Sequence, residues 1–334
     1  MQDVLVDIEA RLYGRAWRDQ ALVQPVFITS LRRAGTTLLL EVLARVPEVA
    51  THCYRDMPFV RVPFLWNRLS GRFRKTQALA ERAHGDGIMI NVDSPEAFDE
   101  TVWLARFPER YRGDGIRPWD RPDPEFAAEL ADHMRRIVVL RMGAVSPEAR
   151  YLSKNKANIA RVGLLRAAFP DAQILVPLRD PLAQAQSMLR QHLRFTARHA
   201  EDDFSRLYMA DIGHFEFGAA HRPILFDGVA ELAARYRPEQ IEYWIGYWHA
   251  AYRRLAGQEG VTFLDHAGFC RDGGANFPRL CERLGLTPDP AAVEAAGAQI
   301  RPMAPAPEAD GDADGLDDAR RLFANLQAGS LFAP

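Results

Sequence analysis

The chain has 334 residues, enough for one large domain or two modest ones. Its net charge of −2 gives no global basic field that would attract nucleic acid or a membrane surface. The three cysteines form no C-x-x-C pair, so neither a disulfide scaffold nor a cysteine zinc site is expected. The start of the chain lacks an apolar signal core, and no apolar run approaches the ~20 residues of a membrane helix. We therefore expect a cytoplasmic protein without a membrane span.

The first part of the chain predicts helices around one buried strand. Residues 3–20 carry apolar side chains at helical spacing. Pro25 opens the apolar run V-F-I-T-S, a predicted strand, and T-L-L-L-E-V-L-A-R then predicts a helix that ends near Pro47. The S-P-E sequence at residues 94–96 has the composition of a helix start, with a serine cap and proline at the first position.

Further strands and helices alternate along the rest of the chain. Helices are predicted at residues 126–141, with I-V-V-L at its end as an alternative strand, and at 157–169, 180–192, 276–284 and 316–326. The runs I-L-V-P-L and V-T-F-L predict two more strands, and Gly285 is expected to end its helix in a left-handed conformation. Residues 302–315 have the composition of a linker. We predict one α/β domain over residues 1–300, and a linker with a C-terminal tail over residues 301–334.

This alternation predicts an α/β fold of three α/β/α layers, with a central, mainly parallel sheet covered by helices on both faces. Ligands of such sheets bind beyond the carboxyl ends of the strands. The two most informative segments, residues 28–37 and 151–192, each contain a loop that follows a predicted strand. We therefore expect them to meet at one edge of the sheet.

The segment I-T-S-L-R-R-A-G-T-T at residues 28–37 has the features of an anion-binding loop. A helix N-terminus presents unpaired backbone N–H groups and a positive dipole. Gly35 allows close approach of the backbone, Thr36 and Thr37 offer hydroxyls, and Arg33 adds a fixed charge. An ordinary threonine-capped turn is the competing interpretation.

The same loop differs from the phosphate loop of ATPases. That loop requires glycine and lysine in succession, whereas Thr36 follows Gly35 here and Ser30 occupies the place of the first glycine. A kinase or nucleotide hydrolase is therefore the weaker interpretation.

A second pair of residues has the chemistry of a phosphate site. The sequence L-R-D-P-L-A-Q-A-Q-S-M places Arg179 at a strand end and Ser187 eight residues later on the next helix. An arginine can bind a phosphate with two hydrogen bonds, and the hydroxyl can reach the same anion. A surface arginine and an indifferent helical serine are the alternative.

Together the two segments resemble the sulfotransferases that use 3′-phosphoadenosine 5′-phosphosulfate (PAPS). The sequence R-R-A-G-T-T-L-L is similar to their phosphosulfate loop, P-[K/R]-[S/A]-G-T-[T/S], with Arg33 at the basic position and Arg32 where proline is typical. Arginine at this position is similar to the tyrosylprotein and many bacterial enzymes rather than to the cytosolic ones. The resemblance covers residues 25–60 and 150–195, and more weakly 261–288.

The resemblance implies the sulfotransferase fold, a three-layer α/β/α fold similar to that of the P-loop nucleotide hydrolases. It also implies the transfer of a sulfuryl group from PAPS to a hydroxyl or amine by an in-line reaction, with no metal required. The implied donor-binding residues are Arg32, Arg33, Ala34, Gly35, Thr36, Thr37, Arg179 and Ser187. The acceptor can be a small molecule, a glycan or a peptide; neither it nor the oligomeric state follows from the sequence. The alternatives are a P-loop kinase or nucleotide hydrolase, and a non-catalytic nucleotide-binding member of the same fold.

The resemblance also implies residues for the reaction itself. In S-K-N-K-A-N-I-A-R, Lys154 matches the lysine near the sulfuryl group, where it and Arg33 would stabilise negative charge on the leaving oxygen. Asp56 is the first candidate for the general base, His52 the second and Asp93 the third. A surface turn is the competing interpretation of Asp56.

The region of residues 204–252 is rich in aromatic residues and histidine. We expect its aromatic side chains to lie mostly in the core, where burial of large rings stabilises the fold. The pairs His192/His199 and His214/His221 have helical spacing without a third ligand in an obvious motif. We expect structural or acceptor-lining histidines there, and no metal.

Overall fold

The computed structural model describes residues 2–70, 80–81, 89–119, 121–303 and 313–334. Its strands are β1 (Val26–Ile28), β2 (Val49–Ala50), β3 (Ala80–Glu81), β4 (Met89–Ile90), β5 (Arg150–Lys154), β6 (Gln173–Leu178) and β7 (Val261–Asp265). Its helices are α1 (Gln2–Tyr13), α2 (Thr36–Leu43), α3 (Pro63–Ser70), α4 (Glu100–Arg106), α5 (Pro124–Met142), α6 (Val162–Ala168), α7 (Pro181–Glu201), α8 (Asp203–Asp211), α9 (Val229–Arg235), α10 (Ile241–Ala256), α11 (His266–Arg271), α12 (Gly273–Leu284), α13 (Pro290–Gln299) and α14 (Leu316–Ala328).

Five of the strands form one parallel sheet in the order β2-β5-β1-β6-β7. The central strand β1 pairs Ile28 with Lys154 of β5 and with Leu175 of β6. Because parallel strands end at the same edge of a sheet, the segments that follow β1, β5 and β6 lie side by side. Strands β3 and β4 form a separate antiparallel pair.

Helices cover both faces of the sheet, which confirms the three-layer α/β architecture. Alternating side chains of β1 enter different cores: Phe27 packs with α5, α6, α7 and α10 on one face, and Val26 and Ile28 pack with α2 and α12 on the other. This alternation follows from the two-residue period of a strand. Both faces of β1 are therefore packed, which fixes the position of the loop that follows this strand.

Three expectations about helices are wrong in detail. The segment at residues 94–96 does not start a helix, because the Ser94 hydroxyl accepts a hydrogen bond from the Asn91 N–H (3.0 Å) while Cys53 pairs with Pro95 in an isolated β-bridge; α4 begins only at Glu100. The I-V-V-L sequence lies inside α5 and is not a strand. The N-terminal helix α1 ends early, and residues 14–16 continue as a 3₁₀ turn.

Other predictions agree with the structure, some with altered bounds. The strands β6 and β7 are confirmed, and Gly285 ends α12 with a φ of 69°. Residues 157–169 divide into a 3₁₀ turn at Lys156–Ala160 and the helix α6. Helix α7 extends nine residues beyond the expected end, to Glu201.

The C-terminal segment packs on the same core as the sheet. Leu316 and Ala319 of α14 are buried. The Leu331 N–H donates to the Phe263 carbonyl (2.8 Å), and its carbonyl accepts from the Asp265 N–H (2.9 Å), so this residue pairs with β7. The domain boundary at residue 300 stays a prediction, and most of the expected linker lies outside the described residues.

The structure also bears on the expectations about the cysteines and about membrane spans. All three cysteines are free thiols. Among the described helices, none is both long and apolar enough to cross a bilayer.

The end of α5 provides a test of backbone conformation alone. Gly143 has a φ of 79°, and a Cβ added there would meet nothing within 4 Å. We expect Gly143→Ala to lower the free energy of unfolding in urea by about 1 kcal/mol, because an L side chain disfavours the left-handed conformation. Gly329→Ala is the matched control, since it has equal space but a φ of −99°. Equal stability of the two variants would contradict this account.

Candidate active site

The loop between β1 and α2 has two residues in the left-handed region. Gly35, at the N-cap of α2, has a φ of 92°, and Arg33 has a φ of 70°. A non-glycine residue in this region costs on the order of 1 kcal/mol and is held there only by its surroundings. A Cβ on Gly35 would also collide with the imidazole of His266, which packs against the loop. The turn therefore requires glycine for both conformation and space.

A hydrogen bond joins the two motifs that the sequence singled out. Arg33 Nε donates to Ser187 Oγ (3.0 Å), and Arg179 Nη1 donates to the carbonyl of Arg33 (2.9 Å). These side chains are more than 140 residues apart in the chain, yet both loops lie at the carboxyl edge of the sheet. The structure thus brings Arg33, Arg179 and Ser187 together.

Local features of α7 fix its position against the loop. The Asp180 side chain accepts from the Ala183 N–H (2.8 Å) and caps the helix, with Pro181 at its first position. One turn later, Gln184 Nε2 donates to the carbonyls of Leu31 (3.3 Å) and Arg32 (2.9 Å). The helix is therefore held to the loop by its own side chains, which directs Ser187 toward Arg33.

The site has an excess of positive charge and of hydrogen-bond donors. Burial and the neighbouring cations Arg33 and Arg190 lower the pKa of Arg179. Arg179 Nε and Gln191 Nε2 are buried without a hydrogen-bond acceptor in the described part of the chain. Buried donors without acceptors cost free energy, so an anion bound here would relieve both conditions.

A cavity with an empty volume of about 440 Å³, which includes space open to solvent, lies beside this loop. It is lined by Arg32, Arg33, Thr36, Thr37, Glu96, Lys154, Lys156, Gln191, His214 and Phe217. Lys154 Nζ donates to Thr37 Oγ1 (3.3 Å) and to Glu96 Oε1 (3.0 Å). The end of β5 thus places this lysine over the first turn of α2, as expected from the pairing of Lys154 with Ile28.

Glu96 is a residue that the sequence analysis missed as part of the site. Its second oxygen accepts from the Tyr54 hydroxyl (2.6 Å), and its first also accepts from the Ala97 N–H (2.7 Å). Burial would raise the pKa of Glu96, but Lys154 and these hydrogen bonds hold it well below its usual range. The carboxylate is therefore ionised at neutral pH and faces the cavity.

Asp56 and His52 occupy a different network. The Asp56 carboxylate bonds to Arg141, to the Cys53 N–H (2.9 Å) and to His52 Nδ1 (3.1 Å). Burial opposes ionisation of Asp56, but His52 and Arg141 hold its pKa below the usual range. Neither Asp56 nor His52 is among the described side chains that line the cavity. Their position in the sequence soon after α2, which favoured them as the general base, therefore does not bring them to the cavity. Asp93 is half exposed and contacts Arg55.

Arg32 and Lys156 share one carboxylate. Arg32 Nη2 lies 2.8 Å from Glu216 Oε2, and Lys156 Nζ lies 3.1 Å from Glu216 Oε1. Glu216 is the second site residue that sequence reasoning missed, because its partners are 184 and 60 residues away in the chain. The remaining loop residue Ala34 is fully buried and contributes only its backbone.

A second chamber, with an empty volume of about 490 Å³, shares Arg32, Lys156 and Phe217 with the first cavity. Its other walls are mostly apolar and include Trp244 and Tyr247 from α10. The aromatic region thus contributes both to the core and to a chamber wall.

The four histidines that the sequence grouped into pairs lie in three places. His221 lines the chamber and lies near His192, with ring centroids 5.4 Å apart, and His192 Nδ1 accepts from the Gly218 N–H (3.2 Å). His214 lines the first cavity. His199 packs against Phe195. The two sequence pairs therefore do not form two paired sites.

Comparisons with known proteins agree with this architecture. The chain matches the sulfotransferase family model over residues 25–223. A search among curated proteins found no match. Among solved structures, the sulfotransferase STF1 from Mycobacterium tuberculosis H37Rv is similar with a TM-score of 0.53 and 16% identity, over 96% of this chain and 82% of that one. The sulfotransferase STF9 from Mycobacterium avium has a TM-score of 0.53 and 14% identity, over 99% of this chain and 83% of that one.

At these identities the likeness to solved structures concerns the fold, and the sub-type closest to the tyrosylprotein enzymes stays a prediction. The family match is the stronger finding because it spans more than half of the residues, including both motif segments and the segment that carries Glu96. The chain belongs to the sulfotransferase family.

Proposed function

We propose that this protein transfers a sulfuryl group from PAPS to a hydroxyl or amine of an acceptor. The observation that carries the proposal is the contact of Arg33 with Ser187, which combines two separate phosphate-binding motifs in one cationic site. A single phosphate would need only one of them. A donor with a phosphosulfate at one end and a 3′ phosphate at the other matches both.

The chain's residues divide into two anion sites in this proposal. The N-terminus of α2, with Thr36 and Thr37, binds the 5′ phosphosulfate through backbone N–H groups and hydroxyls. Arg179 and Ser187 bind the 3′ phosphate, which supplies the acceptor that Arg179 Nε lacks in the described part of the chain. Gln191 offers a further donor from the next turn of α7.

The reaction needs one proton acceptor and stabilisation of a leaving oxygen. The oxygen of the acceptor hydroxyl forms the new bond to sulfur, and Glu96 takes the proton that this hydroxyl loses. Arg33 and Lys154 stabilise the negative charge on the phosphate oxygen whose bond to sulfur breaks. In this structure Lys154 pairs with Glu96. If Lys154 moves toward the sulfuryl group when the donor binds, Glu96 loses this neighbouring cation and becomes a stronger base.

The acceptor would reach this site from the aromatic chamber. Arg32, Lys156 and Phe217 form the shared wall, so a molecule in the chamber lies next to the cavity that contains Glu96. Because most of the side chains that line this chamber are apolar or aromatic, the body of the acceptor would be buried there by the hydrophobic effect.

Donor binding can be tested by thermal unfolding with 3′-phosphoadenosine 5′-phosphate, the product nucleotide. We expect this nucleotide to raise Tm clearly more than AMP does, because only it has the 3′ phosphate that Arg179 binds. Arg179→Ala should weaken its binding by about 10- to 100-fold, the loss expected for hydrogen bonds to a charged group. Arg194→Ala, an exposed arginine on the same helix, should leave binding unchanged. Equal stabilisation by both nucleotides would refute the assignment of the 3′ site.

The role of Glu96 can be tested by steady-state kinetics with a panel of hydroxyl and amine acceptors. We expect Glu96→Gln to lower kcat by about 10²- to 10⁴-fold with little change in KM for PAPS, because the amide cannot accept the proton. Asp56→Asn is the contrasting variant, and it should lower Tm by breaking the buried contact with Arg141 while the folded enzyme keeps most of its kcat. The reverse pattern would assign the base to Asp56.

Lys156 predicts a measurable pH dependence of stability. Burial, followed by the nearby Arg32, lowers the pKa of Lys156 from 10.5 to about 7. Between these values the unfolded chain binds a proton that the folded chain has released, so stability rises with pH. We expect the free energy of unfolding of the wild type, relative to Lys156→Met, to rise between pH 7 and 10 by at most about 1.4 kcal/mol per pH unit. Parallel stability curves for the two proteins would show that Lys156 has an ordinary pKa.

A further inference from the structure

A cluster of three ligand-type side chains lies outside the candidate active site. His52, Asp99 and His133 come from three separate segments: the stretch after β2, the residue before α4, and the middle of α5. One potential ligand atom of each lies within 4.8 Å of the other two. All three residues are buried, with 1%, 4% and 3% of their surface exposed. The proposed reaction uses none of these three side chains.

The Nε2 atoms of His52 and His133 point toward each other. His52 Nε2 lies 3.0 Å from His133 Nε2 and 3.7 Å from Asp99 Oδ1. Two such nitrogens can share only one proton, so at least one lone pair points into the cluster.

The neighbouring groups orient these side chains as the outer contacts of metal ligands do. Asp56 Oδ2 lies 3.1 Å from His52 Nδ1, which fixes the ring and leaves Nε2 toward the cluster. Asp99 Oδ2 accepts from the Ser153 hydroxyl (2.7 Å), and the Tyr151 hydroxyl bonds to the other oxygen. A carboxylate behind a histidine and hydroxyls on a ligating carboxylate are common around protein metal ions.

The charge of Asp99 supplies an independent argument. In the described part of the chain, no lysine or arginine nitrogen lies within 4 Å of its carboxylate; the ion-pair contact is with His52. The neighbouring Asp56, by contrast, has Arg141. A buried carboxylate without a compensating cation is costly. A divalent cation between Asp99 and the two imidazoles would provide that charge.

We propose that His52, Asp99 and His133 bind one divalent transition-metal ion, with zinc the best match. Two imidazoles and one carboxylate are ligands that zinc prefers, and water can complete the coordination. The ion has no part in sulfuryl transfer. It fastens α5 and the start of α4 to the segment after β2, where the Glu96 N–H donates to the His52 carbonyl (3.0 Å). The metal therefore stabilises the segment that carries Glu96.

The test uses the untagged full-length chain, expressed with zinc in the medium and desalted into metal-free buffer. We expect elemental analysis to find about one zinc per chain. Removal with a chelator should lower Tm by several degrees, and stoichiometric zinc should restore it. Cobalt should bind in its place and give visible absorption bands without the intense near-ultraviolet band of a cobalt–thiolate bond.

Variants assign the ion to this cluster. His133→Asn and Asp99→Asn should each lose the metal, and chelator should no longer change the Tm of these variants. His199→Asn is the matched control, because His199 is equally buried and its ring nitrogens have no hydrogen-bond partner among the described residues. It should keep the zinc.

Several outcomes would overturn the proposal. These are a wild-type chain that retains no zinc and shows no Tm shift with added zinc or cobalt, a cobalt–thiolate spectrum, or a His133→Asn chain that keeps its zinc. The metal content and the cobalt spectrum of the wild type decide the question even if a variant fails to fold. Both are independent of sulfuryl transfer, so the proposed function can fail while the metal site stands.

Discussion

The contact of Arg33 with Ser187 depends on the order of the strands, and the candidate active site depends on that contact. Because β1 lies between β5 and β6, the loops after all three strands meet at one edge, and Lys154, Arg33 and Arg179 converge there. Their convergence places like charges together, and Arg33 also adopts a left-handed backbone. The apolar cores on both faces of the sheet must compensate for these costs. An anion that binds among these cations would reduce their repulsion and so stabilise the folded chain.

The parts of the site that the sequence predicted are those with a local cause. A glycine that must adopt a positive φ, two hydroxyls at a helix N-terminus, and an arginine before an Asp-Pro cap are all visible within a few residues. Glu96 and Glu216 have no such signal, because each is positioned by a lysine or arginine that folding brings from a distant segment. For Asp56, long-range contacts oppose the local signal. Its spacing after α2 favoured it, but Arg141 from the end of α5 draws its carboxylate into another network.

The same distinction explains the outcome for the fold. The strands and the helix ends at Asp180 and Gly285 were predicted, since capping and left-handed stops act within one turn. The β-branched run at residues 137–139 favoured a strand by propensity, yet it lies in a helix that Asp123 caps and whose apolar face packs into the core. The S-P-E sequence at residues 94–96 has a helix cap's composition, but its backbone pairs with the segment near Cys53 instead. In both places tertiary packing overrode the local preference.

The pairing of Leu331 with β7 affects how readily two copies of the chain can associate through the edge of the sheet. Strand β7 is last in the order of the sheet, and an outermost strand offers unpaired backbone groups to any extended chain that approaches. Two backbone hydrogen bonds from Leu331 occupy part of that margin, and α14 holds the residue in place. The C-terminal segment therefore covers part of the edge at which a second chain could add a strand. This coverage disfavours aggregation, in addition to the packing of the segment on the core.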